Sequence, residues 1–301
     1  MRKNSGLVAR LVARLAPIIC LAGLWGCTPA TQSPPAASPT LLLSQTRLAT
    51  PSATTRPATA TSNPPTATFT PLPPTATLTP TPRVEVCSPL QGITLDELPQ
   101  IVTNPFDPPR PGLDDGHHGV DLAFYRHGDQ IGMSGLPVLS VLTGIVAAAI
   151  KDRPPYGNMV IIETPLESVP SAWDATLQLP TLAPTVTPPN LTCPVQPAFA
   201  NLDTNRRSLY LLYAHLIQPT TLKAGQAIGC GNPLGAVGTT GNSVNPHLHL
   251  EVRIGPAGAR FDGMAHYIGD ATTQEMLNYC AWRVSGLFQM TDPMKLLSIR
   301  P

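Results

Sequence analysis

Five of the chain's seven histidines fall in three short clusters separated by turn-rich sequence. The first cluster runs Gly116, His117, His118, Gly119, Val120, Asp121. Side chains of an extended segment alternate between faces, so His117 and Asp121 point one way and His118 the other. Gly119 lies between them and leaves room for an ion. The second cluster is His247, Leu248, His249, Leu250, Glu251, Val252. Here His247, His249 and Glu251 share a face, while Leu248, Leu250 and Val252 pack into a core. Two charged imidazoles side by side on a sheet repel each other. A metal ion relieves that repulsion by binding a neutral imidazole. The third cluster, Tyr213, Ala214, His215, Leu216, ends an apolar strand, with His215 on the face of Tyr213. Taken singly, each cluster has an ordinary explanation: a surface ion pair, a solvated polar face and a hydrogen-bonded structural histidine.

The elements that must position these residues read as strands. Pro137 to Ile150 gives two short apolar strands around Thr143 and Gly144, and Met159 to Thr164 gives a third after a turn at Tyr156, Gly157 and Asn158. Ser208 to Leu216 is a further strand, and closely spaced glycines from Gly225 to Gly241 mark hairpins. Helix is expected only near the C-terminus, around Thr273 to Trp282 and after Thr291, where Asp292 and Pro293 make a favourable helix start. The folded part is therefore mainly antiparallel β. Some forty residues rich in proline and threonine, about 165–207, interrupt it. A loop of that length without structure is unusual in a compact domain. It is either a functional flap or a floppy insertion, and a bridged Cys193 would favour the flap.

In chain order His117 and Asp121, then His215, then His247 and His249 resemble the HxxxD and HxH motifs of the LytM and lysostaphin-type metallopeptidases. The resemblance continues through GLPVLSVLTGIV from Gly135, YGNMVII from Tyr156, YAHL from Tyr213, AGQAIG from Ala224 and GTTGNSVNPHLHLEV from Gly238. Asn245 stands where family members often carry glycine, and the long insertion stands where they have a short connection. The resemblance implies an open antiparallel β-sandwich of the duplicated hybrid motif type. It also implies one Zn²⁺ ion held by His117, Asp121 and His249, with water in the fourth position. His215 and His247 then act as general base and oxyanion stabiliser, in an order the sequence leaves open. The implied activity is hydrolysis of peptide bonds in the stem peptides or cross-bridges of bacterial peptidoglycan. The alternative is a domain of the same kind that binds cell wall or activates another hydrolase without turnover. The glycine-rich hairpins around Ala224 also look like a lipoyl or biotinyl carrier surface, but Lys223 lacks an attachment motif.

Outside this domain the composition is uneven. Arg2, Lys3, Arg10 and Arg14 precede an apolar stretch from Leu15 to Gly26, which reads as a signal peptide over 1–26. About twelve apolar residues are too few to span a bilayer of roughly 30 Å hydrocarbon thickness. Leu24, Trp25, Gly26, Cys27 resemble the bacterial lipobox, which makes Cys27 the lipidated mature N-terminus and the protein an extracytoplasmic one, lipid-anchored to the cell membrane and facing the wall. Residues 27–83 are a Thr/Pro-rich linker, with PPTATFTP from Pro64 nearly repeated as PPTATLTP from Pro73. Such a segment cannot form a core. The domain follows over 84–301. Nineteen Lys and Arg against eighteen Asp and Glu leave a net charge of +1, which offers no case for a nucleic-acid partner. The partners expected are peptidoglycan and, through the lipid, the membrane. Cys87, Cys193, Cys230 and Cys280 are an even set for an oxidising compartment and allow three connectivities. Pairing Cys87 with Cys280 would tie the domain's two ends and leave Cys193 with Cys230.

Overall fold

The structure is a computed structural model that describes residues 84–110, 113–178, 192–194, 202 and 204–300. The signal segment, Cys27 and the linker up to residue 83 lie outside the described residues. Among the described residues, no helix is long and apolar enough to cross a membrane.

In chain order the strands are β1 (Val102–Asn104), β2 (Val120–Leu122), β3 (Arg126–His127), β4 (Gln130–Ile131), β5 (Pro137–Leu139) and β6 (Gly144–Arg153). They continue as β7 (Gly157–Pro165), β8 (Arg207–Ala214), β9 (Ala227–Ile228), β10 (Pro233–Ala236), β11 (Leu248–Pro256) and β12 (Gln289–Thr291). The main sheet has the order β1-β2-β11-β8-β7-β6-β9, with β12 also paired to β11. Every pairing in it is antiparallel. Strands β5 and β10 form a separate pair, as do β3 and β4. The expected mainly β, antiparallel architecture is what the chain adopts.

Both faces of the main sheet are covered, which is why β7, β8 and β11 are buried almost throughout instead of alternating between core and solvent. Val160, Ile162, Leu209, Leu211, Tyr213, Leu248, Leu250 and Val252 share one core with the N-terminal segment around Leu90 and Leu98. Met159, Ile161, Tyr210, Leu212 and Ala214 face a second core containing Tyr279, Trp282 and Phe288. Helix α2 (Thr273–Arg283) roofs this second face. It starts where the sequence predicts, with Thr272 and Glu275 closing a reciprocal capping box. Helix α3 (Pro293–Leu297) likewise begins at the Asp292 cap.

One alternative left open gains an observation, and one expectation is corrected. The insertion carries regular structure over its described first part. Residues 166–178 form two 3-10 turns and the short helix α1 (Asp174–Leu177), and Trp173 and Leu177 are buried in the first core with Leu296 of α3. Thr291 Oγ1 donates to the Leu177 carbonyl at 2.9 Å. Apolar anchors within a proline-rich run thus hold it to the domain. The cysteines pair as Cys87 with Cys230 and Cys193 with Cys280, at Cα separations of 5.7 and 6.0 Å, not as Cys87 with Cys280. The reason is local. Cys87 N–H donates to Val141 O and Cys230 N–H to Thr143 Oγ1, which brings both to the corner between β5 and β6. Cys280 sits on α2, over the other face of the sheet.

Candidate metal centre

Strand register brings the first two donors together. Antiparallel pairing of β2 with β11 sets Asp121 directly opposite His249, and His249 also faces Ala214 of β8. Asp121 Oδ1 lies 2.8 Å from His249 Nδ1 and 3.1 Å from His117 Nε2. His117 Nε2 and His249 Nδ1 are themselves 3.1 Å apart. These three residues offer donor atoms that all lie within 4.8 Å of one another.

His117 does not stand in the same strand as Asp121. It forms an isolated bridge with Asp107, and the chain bends at His118 and Gly119 before β2 begins. A side chain at Gly119 would collide with the Leu250 carbonyl, so the space that glycine leaves is taken by the backbone of β11, not by an ion. The bend sends His118 into the protein, where it is buried and its Nδ1 accepts from Arg253 Nη2 at 2.8 Å. Burial, together with Arg253 and Arg283, pushes its pKa down to about 2, so it stays neutral.

The other two histidines reach the same spot from loops. By strand parity His215 belongs on the side of Tyr213. Its left-handed φ of 61° instead swings it off the end of β8 toward the second face. Its ring centroid is 4.7 Å from that of His247 and 5.8 Å from that of His249. His247 precedes β11 and is bridged to Gly238.

Each ring is anchored by its outward nitrogen. His117 Nδ1–H donates to Pro105 O at 2.9 Å, His215 Nδ1–H to Thr240 O at 2.7 Å and His247 Nδ1–H to Asn245 O at 2.8 Å. His249 uses Nε2–H, which faces Glu251 Oε1 at 3.3 Å. An outward N–H committed in this way leaves the inward nitrogen of each ring as the one that can bind a proton or an ion. Asn104 Nδ2 donates to Asp121 Oδ2 at 3.1 Å and leaves Oδ1 for the histidines.

Beneath His249 lies a fully buried polar network. Glu251 accepts from Tyr156 Oη at 2.6 Å, Arg253 Nε at 2.7 Å and Trp282 Nε1 at 2.8 Å, as well as facing His249. Burial opposes ionisation of Glu251, but Arg253 and His249 outweigh it and hold the carboxyl well below its usual range. Burial likewise opposes ionisation of Asp121, and hydrogen bonds from His117 and His249 keep it low. Burial would depress His249, yet Asp121 and Glu251 raise it to about 9. Burial, aided by His249, lowers His215 to about 4. Two imidazole nitrogens and a carboxylate oxygen at such short range need a positive charge among them, either a shared proton or a metal ion. Two nitrogens and one carboxylate oxygen with an open side fit a zinc-type ion.

These residues line an open groove of about 480 Å³ whose walls also include Asn104, Tyr156, Val244 and Arg283.

Residues 202–262 match peptidase family M23. This is the family that the histidine motifs resemble. The M23 segment holds β8, His215, His247, His249 and Glu251, while His117 and Asp121 come from before it. Among solved structures, the chain is similar to the catalytic domain of lysostaphin from Staphylococcus simulans, with 16% identity and a TM-score of 0.35 over 69% of this chain and 99% of that one. A mutant catalytic domain of the prophage-encoded M23 protein EnpA from Enterococcus faecalis gives 21% identity and a TM-score of 0.30, over 53% and 85% of the two chains. A zinc-containing peptidase from Vibrio cholerae gives 23% and 0.28, over 50% of this chain and 32% of that one.

All five residues singled out from the sequence, His117, Asp121, His215, His247 and His249, meet at this centre. Asn104 and Arg283 join it unannounced, because each comes from a segment with no motif of its own, and Tyr156 joins it from the YGNMVII segment, where nothing marks its ring for the site. Glu251 carries a signal, its parity with His249, that points to its place beneath the ring.

Proposed function

We propose that this domain is a zinc-dependent endopeptidase that hydrolyses peptide bonds in the stem peptides or cross-bridges of bacterial peptidoglycan. The observation that carries the reading is the convergence of His117, His247 and His249 on Asp121 Oδ1, at 3.1, 3.5 and 2.8 Å, with the His215 ring packed against those of His247 and His249. His117, Asp121 and His249 would hold the ion. When bound, zinc supplies Lewis acidity that polarises a scissile carbonyl and makes water a nucleophile near neutral pH. His215 and His247 stand beside that position with anchored Nδ1–H groups and Nε2 turned inward. Nε2 of one takes the proton of the attacking water, and the other, doubly protonated, donates its Nε2–H to the oxyanion. Asn104 and Glu251 hold the carboxylate and the imidazole of the ligand set in place. The open groove admits an extended peptide across the centre.

In the same reading, residues 1–26 are a signal peptide, Cys27 bears the lipid, and 27–83 tether the domain of 84–301 outside the cell membrane, facing the wall. Fatty-acid labelling that is lost in Cys27→Ser checks the anchor.

Purified domain incubated with sacculi tests the activity. Chelator-sensitive release of new amino groups is the expected result, and intact sacculi in the presence of stoichiometric zinc would sink the proposal. His247→Ala should abolish turnover and keep the metal, whereas His249→Ala should lose both. Metal analysis of the two variants decides the division of roles.

A further inference from the structure

The groove carries one fixed positive charge that the chemistry above does not use. Among the described residues that line it, Arg283 is the sole lysine or arginine. It ends α2, beyond the stretch matched by the family model, so it is a feature of this chain's C-terminal part. Its Nε–H donates to Asp114 Oδ1 at 2.9 Å, its Nη1 lies 3.4 Å from Tyr156 Oη, and its guanidinium stands 5.7 Å from the centroid of the Tyr279 ring. Those contacts hold the planar group by its Nε edge. Among the described residues Nη2 has no hydrogen-bond acceptor, and it is not among the buried polar atoms left without a partner. The side chain keeps 15% of its surface exposed. The Nη edge therefore opens on the groove.

Arg283 stands across Tyr156 from the metal centre, and the Tyr156 and His249 rings are 6.0 Å apart. An extended peptide advances roughly 3.3 Å per residue, so this position lies within a few residues of a bond held at the centre. A guanidinium presents paired N–H donors matched to a carboxylate, and pre-orientation by Asp114 and Tyr279 reduces the freedom lost on binding.

We infer that Arg283 forms an anion subsite that reads a carboxylate of the peptide substrate close to the cleaved bond. This rests on the peptidase reading and specifies its substrate as an acidic peptide. The carboxylate is either the terminal α-carboxylate or one carried within the chain, and the two sources need separate arms.

The test uses metal-free protein and three acetylated peptides of equal length in calorimetric titrations: one with a free C-terminal carboxylate, one amidated with an internal carboxylate, and one bearing only carboxamides. One carboxylate arm should bind at least about tenfold more tightly than the carboxamide peptide, as expected for a charged hydrogen-bonded pair. Arg283→Gln should equalise the three, and Arg283→Lys should keep part of the preference. Arginine-selective nitrogen spectra of the wild type give a readout independent of variant folding, because the Arg283 Nε–H signal should shift with the preferred peptide and not with the carboxamide. Equal binding of all three by the wild type, a preference that survives in Arg283→Gln, or an unmoved Arg283 signal would overturn the inference. Carboxylate binding through Arg283 by a zinc-loaded protein that leaves sacculi intact fails the peptidase reading alone. Cleavage without carboxylate preference fails the subsite alone.

Discussion

Glu251 has no exposed surface, yet its two oxygens meet Tyr156, His249, Arg253 and Trp282. A buried carboxylate is costly unless every lone pair is used, and here the guanidinium of Arg253 offsets the charge. The consequence for His249 is orientation: Nε2–H is committed downward, so Nδ1 can only face Asp121 and His117. Glu251→Gln keeps the shape and removes the charge. It should weaken zinc binding by about 10–100-fold in a chelator competition, the range seen when the partner of a ligating histidine is lost. It should also cost about 3–5 kcal/mol of stability, because Arg253 is left buried without its counter-ion. Unchanged zinc affinity in a folded variant would show that the ring is held by packing alone.

The loop from Gly238 to Asn245 is the element that sets the two free histidines. Thr240 O anchors His215, Thr240 Oγ1 accepts from Asn158 N–H at 2.9 Å and donates to Leu216 O at 2.9 Å, and Asn245 O anchors His247. Gly241 has a φ of 72° and lies so close to Pro155 and Gly157 that a side chain would collide with both backbones. Gly241→Ala should therefore displace the loop, lowering turnover by about tenfold or more through misplacement of the histidines. Zinc content should hold, since the three proposed ligands sit elsewhere, and a variant with wild-type turnover would break the link between loop and histidines.

At this scale the sequence is legible where continuous apolar runs mark the strands. Strands β6, β7, β8 and β11 fall where apolar runs announce them, α2 begins at the expected Thr273, and α3 begins at the Asp292 that the sequence marks as a helix start. What escapes it depends on tertiary contact. Alternation puts His215 beside Tyr213, and one left-handed residue sends it to the other face. Alternation also separates His117 from His118 correctly, although a bend and not a continuous strand does the separating. Residues 166–178 look like loop because two buried side chains, Trp173 and Leu177, carry the packing of a proline-rich stretch. The cysteine pairing follows from which corner of the sheet each cysteine occupies, and spacing along the chain does not encode that.

Across the whole molecule, the donors that meet at the metal centre come from far apart: Asp121 and His249 are separated by 128 positions and His117 and His249 by 132. Strand β2 touches the rest of the sheet through β11 on one side, and on the other it carries only the short edge strand β1. A cation shared by His117, Asp121 and His249 would work as a hasp across that seam. Its binding adds to stability in proportion to the logarithm of its concentration, about 2.7 kcal/mol at a hundredfold excess over the dissociation constant. Chelation should lower the melting temperature and speed amide exchange first in β1 and β2, and a melting curve indifferent to zinc would exclude the hasp. In the proposed reading, the ion that would arm the groove would also lock the sheet's edge, so copies lacking it would be the ones that open first to a neighbouring protease.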